Sequence, residues 1–402
     1  MSKKFLQRAG KAGALVLLLI VYAVLAYMAS RHTAYYNPYS LPGNDKIAFE
    51  RAKVTSVQSA DVHNDGKHPE LLIGSQEIAV TVMTGEFRGK SFSVTNNLNC
   101  DTNYLLKAGQ TVIVSISSTG DGKTVNVNVN SPDRTPYLYL MAALFAGLLC
   151  LVGGKRGFKS AAAIGFTVTN VLFVFVPLLY IGVEPTLAAL ILAAVTSCIT
   201  LLLVGGWEQK TLIAILGTVG GVTASAGIGL LFSTLTGTSG YTFSDTDSLL
   251  AISSHSGLKV GDLFFAAVLI ASLGAVMDIA ISVATSVNEV FHSNPDTGGK
   301  ALFASGMNVG RDMMGTMANT LILAFAGSSL VILIQIYTYN MPYNQVMNSN
   351  SVAAEMIQAL AGSTAVILTV PLVSWLSARL LPLLSKKKEP VAAQEELTAR
   401  LQ

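Results

Sequence analysis

Charge is the scarcest property of this 402-residue chain: Asp, Glu, Lys and Arg together make up 12% of it, where soluble globular domains carry about 25%. With 51% hydrophobic residues beside so few charges, the composition argues against a soluble globular enzyme. Cysteine is almost missing too. Cys100 lies in a polar stretch and Cys150 and Cys198 in apolar ones, which leaves no pair for an intramolecular disulfide. The five histidines, His32, His63, His68, His255 and His292, are scattered and form no zinc-protease helix motif, so neither a catalytic metal nor another cofactor is expected. A net charge of +3 is too small to call for a nucleic-acid partner.

What the chain has instead is long apolar runs, each near the roughly 20 residues a helix needs to cross a bilayer. The first, Lys11 to Ala29, follows Lys3, Lys4 and Arg8 and reads as a retained signal anchor, since a small-residue cleavage site is only loosely present at Val24-Leu25-Ala26. Seven more follow: Tyr137–Val152, Ala161–Ile181, Pro185–Val204, Leu212–Leu235, Leu263–Val287, Met313–Tyr337 and Val352–Leu381. The expected fold is therefore a mainly α-helical polytopic membrane protein of about eight transmembrane helices. Alternate connections collect the basic residues: Lys3, Lys4, Arg8, Lys11, Lys155, Arg156, Lys159, Lys210, Lys300, Arg311, Arg379 and Lys386 to Lys388 on one side, against Lys259 in the opposite short connections. The positive-inside rule then puts both termini in the cytoplasm of a cell-membrane protein. Tyr137, Tyr139, Tyr180, Trp207, Tyr337 and Trp375 lie near run ends, as interfacial anchors do.

Between the first and second runs, residues 44–134 are polar and read as short alternating strands around 52–57, 77–82, 90–94, 111–116 and 125–129. Turn residues separate them at Asn64-Asp65-Gly66, Gly85 with Gly89, and Gly120-Asp121-Gly122. A small extracytoplasmic all-β domain is expected, a barrel or sandwich and first of all a barrel of the oligonucleotide/oligosaccharide-binding type. The organisation is thus 1–30 as cytoplasmic end and first helix, 44–134 as the outer β-domain, 137–381 as a seven-helix membrane domain, and 382–402 as a charged cytoplasmic tail.

Several enzyme motifs fail on inspection. Ser118 to Thr124 resembles the end of a phosphate-binding loop, but Ser117 replaces its first glycine and the segment lies between strands. No Gly-x-Ser-x-Gly elbow occurs, and Lys259 breaks the aspartyl-protease-like pattern at Gly257 to Asp262.

The informative segment joins the sixth and seventh runs. Asp278, Ser282, Thr285 and Glu289 are spaced four, three and four apart and share one helical face. A charge at that depth costs about 2.5–3.5 kcal/mol, and Asp278 stands roughly 12 Å above the cytoplasmic end of its run. The seventh run answers with Asn308, Asp312, Thr316 and Asn319 on one face and Arg311 about a quarter turn away. Two antiparallel helices would bring the stripes to similar depth, as an ion or substrate site or as a structural ion pair with polar glue. In the fifth run, Gly217, Gly221, Ser225 and Gly229 form a small-residue ridge, suited to close helix packing or, alternatively, to a locally unwound helix lending carbonyls to a site.

The run from Gly274 through Asp278 to Ala280, then Asn288-Glu289, then Ser305-Gly306-Met307-Asn308-Val309-Gly310-Arg311-Asp312-Met313-Met314-Gly315-Thr316-Met317-Ala318-Asn319 to Ala324, resembles the YibE/F family of bacterial multi-pass membrane proteins. Val276 departs mildly from the small hydroxylated residue expected there. The resemblance implies a bacterial, Gram-positive-type cytoplasmic-membrane protein and carries no activity or catalytic residues with it.

Three functions compete. A transporter or permease would bind a cation or proton at Asp278, complete the shell with Asp312 and Asn319, and use Arg311 to set the potential or engage an anionic group. A non-catalytic assembly or sensory protein would bind a ligand or partner through the β-domain. An intramembrane enzyme on a lipid-linked substrate ranks last, because nothing supplies a nucleophile or metal. The expected partners are the bilayer, a small solute or ion, an outer ligand, and a second copy of the chain, which the packing ridges permit without requiring it.

Overall fold

The computed structural model describes residues 46–118, 125–242 and 246–386. The first apolar run, the turn at Gly120-Asp121-Gly122 and the tail from Lys387 lie outside them. Two compact units divide between Leu148 and Leu149.

The first unit contains five strands where alternation predicts them: β1 (Lys46–Asn64), β2 (Leu72–Val82), β3 (Ser91–Leu98), β4 (Thr111–Ser118) and β5 (Val125–Pro132). They form one antiparallel sheet in the order β3-β2-β1-β4-β5. The long β1 is its pivot. Its first part, Lys46 to Lys53, pairs with β4, and its later part, Ala52 to Asn64, pairs with β2. Register shifts between Val54 and Ser56 and between Val57 and Ser59 bend it, as bulges do. The sheet curls until β3 approaches β5 without pairing to it, giving a half-barrel. Alternate residues point inward, so Ala52, Val54, Ile78, Val80, Val112 and Val114 are fully buried.

The connection between β3 and β4 bridges the unpaired edges. Gln76, in β2, is buried; its Oε1 accepts from Leu106 N–H (2.9 Å) and from Asn96 Nδ2 (3.2 Å), while its Nε2 donates to the Leu106 carbonyl (3.3 Å). Asn96 Nδ2, on β3, also donates to the Tyr104 carbonyl (3.1 Å), and Tyr104 Oη donates to the Asn130 carbonyl on β5 (3.0 Å). Tyr104 therefore ties β3 to β5 where no ladder does. Burial raises its phenol pKa, opposed by the Arg134 charge, so the hydroxyl remains a donor at neutral pH. Nearby, Arg51 Nε and the almost fully buried Asp133 carboxylate lie 3.2 Å apart.

The second unit is helical. In chain order the helices are α1 (Thr135–Asn170, which begins in the first unit), α2 (Val176–Tyr180, after a π-helical turn), α3 (Pro185–Gly205), α4 (Gln209–Thr236), α5 (Thr246–Ser253), α6 (Leu263–Ser293), α7 (Gly299–Ser328), α8 (Leu330–Thr338), α9 (Tyr343–Met347) and α10 (Asn350–Lys386). Among the described residues five helices are long and apolar enough to cross a membrane, six if the bent pair α7 and α8 counts as one. The 46-residue stretch Thr135–Tyr180 holds two expected runs. At 1.5 Å per residue it would extend roughly 70 Å, more than twice a hydrocarbon core of about 30 Å. It is interrupted at Gly154, whose φ of 54° and ψ of −131° leave the helical region. Beyond that glycine the chain returns on itself. A methyl on Gly157 would sit 2.0 Å from the Leu149 carbonyl oxygen, so only glycine allows the approach.

Two expectations need correction here. The run Met313–Tyr337, read as a single span, is bent by 65° between α7 and α8. Gly327-Ser328-Ser329 at the bend are poor helix formers, and such pairs are a usual seat of kinks. The alternative of an unwound fifth run also falls, since α4 is one unbroken helix and its small residues serve packing. Added methyls at Gly217 and Gly221 would lie 2.2 Å from Val373 Cγ2 and 2.1 Å from Thr369 Oγ1, both on α10, and Ser225 Oγ donates to the Ala361 carbonyl. From the other side, Gly306 and Gly310 of α7 approach Ser374 and Val370 of the same helix. Helix α10 is thus clasped between two glycine ridges.

A bulky residue on either ridge should loosen the bundle. Gly310→Leu is expected to lower stability by about 1–3 kcal/mol through overpacking against Val370, read as a drop in melting temperature of the purified full chain. In the β-unit, Gln76→Ala leaves the Leu106 amide without its buried acceptor. Amide exchange across residues 104–107 should quicken at least tenfold, consistent with the ~1–3 kcal/mol cost of an orphaned buried group. A phenol pKa higher in the folded than in the unfolded chain also makes the β-unit lose stability as pH rises above about 10. Tyr104→Phe should remove that alkaline component.

Candidate functional site

The α6–α7 hairpin sets the two polar stripes side by side in depth. Val287 of α6 faces Gly306 of α7, and Ser272 and Leu321 both lie beside Gly362. A step back along α6 therefore matches a step forward along α7. By that register Asp278 is level with Gly315 and Thr316, Ser282 with Arg311 and Asp312, and Thr285 with Asn308.

The helices meet, however, through their apolar and small faces. On α6 the buried positions are Val276, Ile279, Ala280, Val283, Ala284 and Val287, packed against α3, α4, α7 and α10. Asp278 and Glu289 are exposed and Ser282 and Thr285 half-buried, all on the remaining open edge. On α7 the fully buried residues are Leu302, Gly306 and Gly310, with Met313, Met314, Met317 and Leu321 partly buried in the same core. Asn308, Arg311, Asp312, Thr316 and Asn319 are all exposed. The stripes thus flank the packed seam and neither is enclosed by it.

Of their hydroxyls, Thr316 Oγ1 donates locally, to the Met313 carbonyl (2.8 Å), and the backbone carbonyls of Ser282 and Glu289 accept from Ser286 Oγ (3.0 Å) and Ser293 Oγ (2.9 Å). Among the described residues no hydrogen bond or ion pair engages the carboxylates of Asp278, Glu289 or Asp312 or the Arg311 guanidinium. No group of three His, Cys, Asp or Glu that could hold a metal occurs there either. Chemically, the face offers three carboxylates, one guanidinium and a row of amides and hydroxyls to whatever lies against it.

The ends of the bundle differ in charge. Lys300 and Arg379 line one cavity with Gly299, Phe303, Trp375 and Ala378, and Arg379 lies over the Trp375 ring at 6.0 Å. At the opposite end Gly257 N–H donates to the Tyr180 carbonyl (3.0 Å) and Gly240 N–H to the Gly261 carbonyl (2.8 Å), tying the α5–α6 connection to the end of α2 and to the connection after α4.

The sequence patterns missed a second polar feature. Glu355 on α10 and Ser329 at the α7–α8 bend line another cavity, and neither Glu355 Oε2 nor Ser329 Oγ has a partner among the described residues. A signal existed: Glu355 is the one charged residue between Asp312 and Arg379.

Comparison with known proteins adds two matches. The family model described as "YibE/F-like protein" matches residues 141–383, and that described as "YibE/F family N-terminal domain" matches residues 49–132. No curated protein and no solved structure matches the chain.

Because Asp278 has no partner among the described residues, Asp278→Asn should leave the stability of the purified protein within about 0.5 kcal/mol of wild type. A loss of about 3–5 kcal/mol would instead identify a buried structural ion pair.

Proposed function

The chain belongs to the YibE/F family, and from that premise we propose that it is a multi-pass membrane protein that moves an ion or small polar solute along the open face of α6 and α7. The long apolar helices fit a membrane protein. Its placement in the cytoplasmic membrane of a bacterium, with both termini inside and the β-unit outside, rests on the one-sided distribution of basic residues.

The observation that carries the transport reading is the exposure of Asp278, Arg311 and Asp312 within about one helical turn of one another in depth, without partners among the described residues. At about 2.5–3.5 kcal/mol each, three such groups facing lipid would cost roughly 8–10 kcal/mol. That is the size of a whole domain's stability. Such a face is tolerable where water, a solute or another chain covers it. Asp278 would bind the cation or proton, with Ser282, Thr316 and Asn319 supplying neutral oxygens at neighbouring depths. Arg311 and Asp312, about one helical turn nearer the cytoplasmic end, would set the potential at the entrance. Glu289 and Asn308 would continue the polar line toward the cytoplasm.

A second reading keeps the β-unit as a receptor. Five antiparallel strands curled until β3 nears β5 fit the oligonucleotide/oligosaccharide-binding type of barrel, whose sheet face and loops bind extended polymers. Loss of function on deleting residues 44–134, with α6 and α7 mutants still active, would favour it.

The transport reading is tested by flux of protons, Na⁺, K⁺ and Mg²⁺ into vesicles containing the purified full chain. Wild type should exceed empty vesicles for at least one of them, and Asp278→Asn and Arg311→Gln should lower that flux tenfold or more at equal incorporation. Unchanged flux in Asp278→Asn would remove that carboxylate from the path.

A further inference from the structure

We propose that the elbow between α7 and α8 is a binding site for a small organic cation with an apolar body, distinct from the α6–α7 face and independent of the transport reading. A cavity of about 180 Å³ lies inside the bend. Its wall is almost wholly hydrocarbon, from Ile322, Phe325, Ile332, Leu333, Val352 and Ala359. Two polar side chains break that wall, Glu355 and Ser329. Ser329 is 8% exposed and its Oγ has no partner, and Glu355 Oε2 is likewise buried and unpartnered. A buried polar atom without a partner costs about 1–3 kcal/mol and a charged one more, so two beside one cavity call for an occupant that satisfies both.

Charge decides the class. Glu355 is the sole charged residue on a stretch of chain from Met313 to Ala378, so this stretch supplies no cation to neutralise it. The Glu355 carboxylate repels an anion and attracts a cation. A bare Ca²⁺ or Mg²⁺ is excluded by ligand count, because these ions take six or more oxygens and the side chains here offer those of one carboxylate and one hydroxyl. An apolar wall with one acidic group instead matches a protonated amine or quaternary ammonium carrying a hydrocarbon group. The volume is right for it, since an apolar cavity of about 150 Å³ accommodates benzene.

The experiment titrates the purified full chain with benzylammonium and with its neutral isostere ethylbenzene, following melting temperature and binding. A ligand that binds the folded state alone raises the melting temperature by mass action. The expected result is that the cation binds at least tenfold more tightly than the isostere. Glu355→Gln should weaken it tenfold or more, Ser329→Ala severalfold, and Ala326→Phe, which fills the cavity from a half-exposed position, should abolish binding of both compounds. The last two variants decide the matter if Glu355→Gln does not fold. Equal binding of cation and isostere would reduce the site to an apolar cavity and overturn the proposal. Absence of any shift at millimolar cation, or binding that survives Ala326→Phe, would overturn it equally.

Discussion

The structure of the helical unit depends on close backbone contact around α10. Gly217 and Gly221 of α4 press on it from one side and Gly306 and Gly310 of α7 from the other, at distances where even a methyl group would clash with Val373, Thr369, Ser374 or Val370. In a membrane, where helices gain little from excluding water, such contacts supply the dispersion energy that side chains supply in a soluble core. They also impose a rule on everything else. An interface with no room for a methyl has no room for a carboxylate.

That exclusion accounts for where the polar groups are. On α6 the packed faces take Val276 and Ala280, beside Gly221 and Gly217 of α4, and Val287, beside Gly306 of α7, while Gly310 of α7 lies against Val370 of α10, so the remaining faces receive Asp278, Arg311 and Asp312. The two stripes share a depth because the helices are antiparallel neighbours, yet they lie outside the seam that makes them neighbours. A polar face produced this way comes at no expense to packing, which frees it for a ligand. Asn170 and Thr196, by contrast, are both buried and hydrogen-bonded to each other at 2.7 Å, as interhelical glue should be.

The half-barrel solves a different problem. Its sheet order leaves β3 and β5 near each other and unpaired, an opening that exposes backbone groups. Gln76, Asn96 and Tyr104 close it with side-chain and loop hydrogen bonds in place of a ladder. Both ends of the Gln76 amide, the Asn96 amide nitrogen and the Tyr104 hydroxyl have protein partners, which is what makes these groups acceptable among Ile78, Val94 and Val112.

Much of this was legible in the residues alone because it depends on local periodicity. Alternation at 77–82 and 111–116 gave β2 and β4, and each apolar run from Tyr137 onward falls within the helical segments, since both patterns follow from backbone geometry and the burial of one face. The four-, three- and four-residue steps of Asp278, Ser282, Thr285 and Glu289 and the four-residue steps of Asn308, Asp312 and Thr316 likewise placed each stripe on a face. What periodicity cannot say is which face of a helix meets its neighbour. The packing of α6 and α7 through valine and glycine, the 65° bend that brings Ser329 to Glu355, and the closing of β3 toward β5 by Tyr104 are decided by contacts between residues far apart in the chain. A single sequence carries no direct record of those contacts, because each is a choice among several faces of equal local merit, settled by how tightly the assembled surfaces fit.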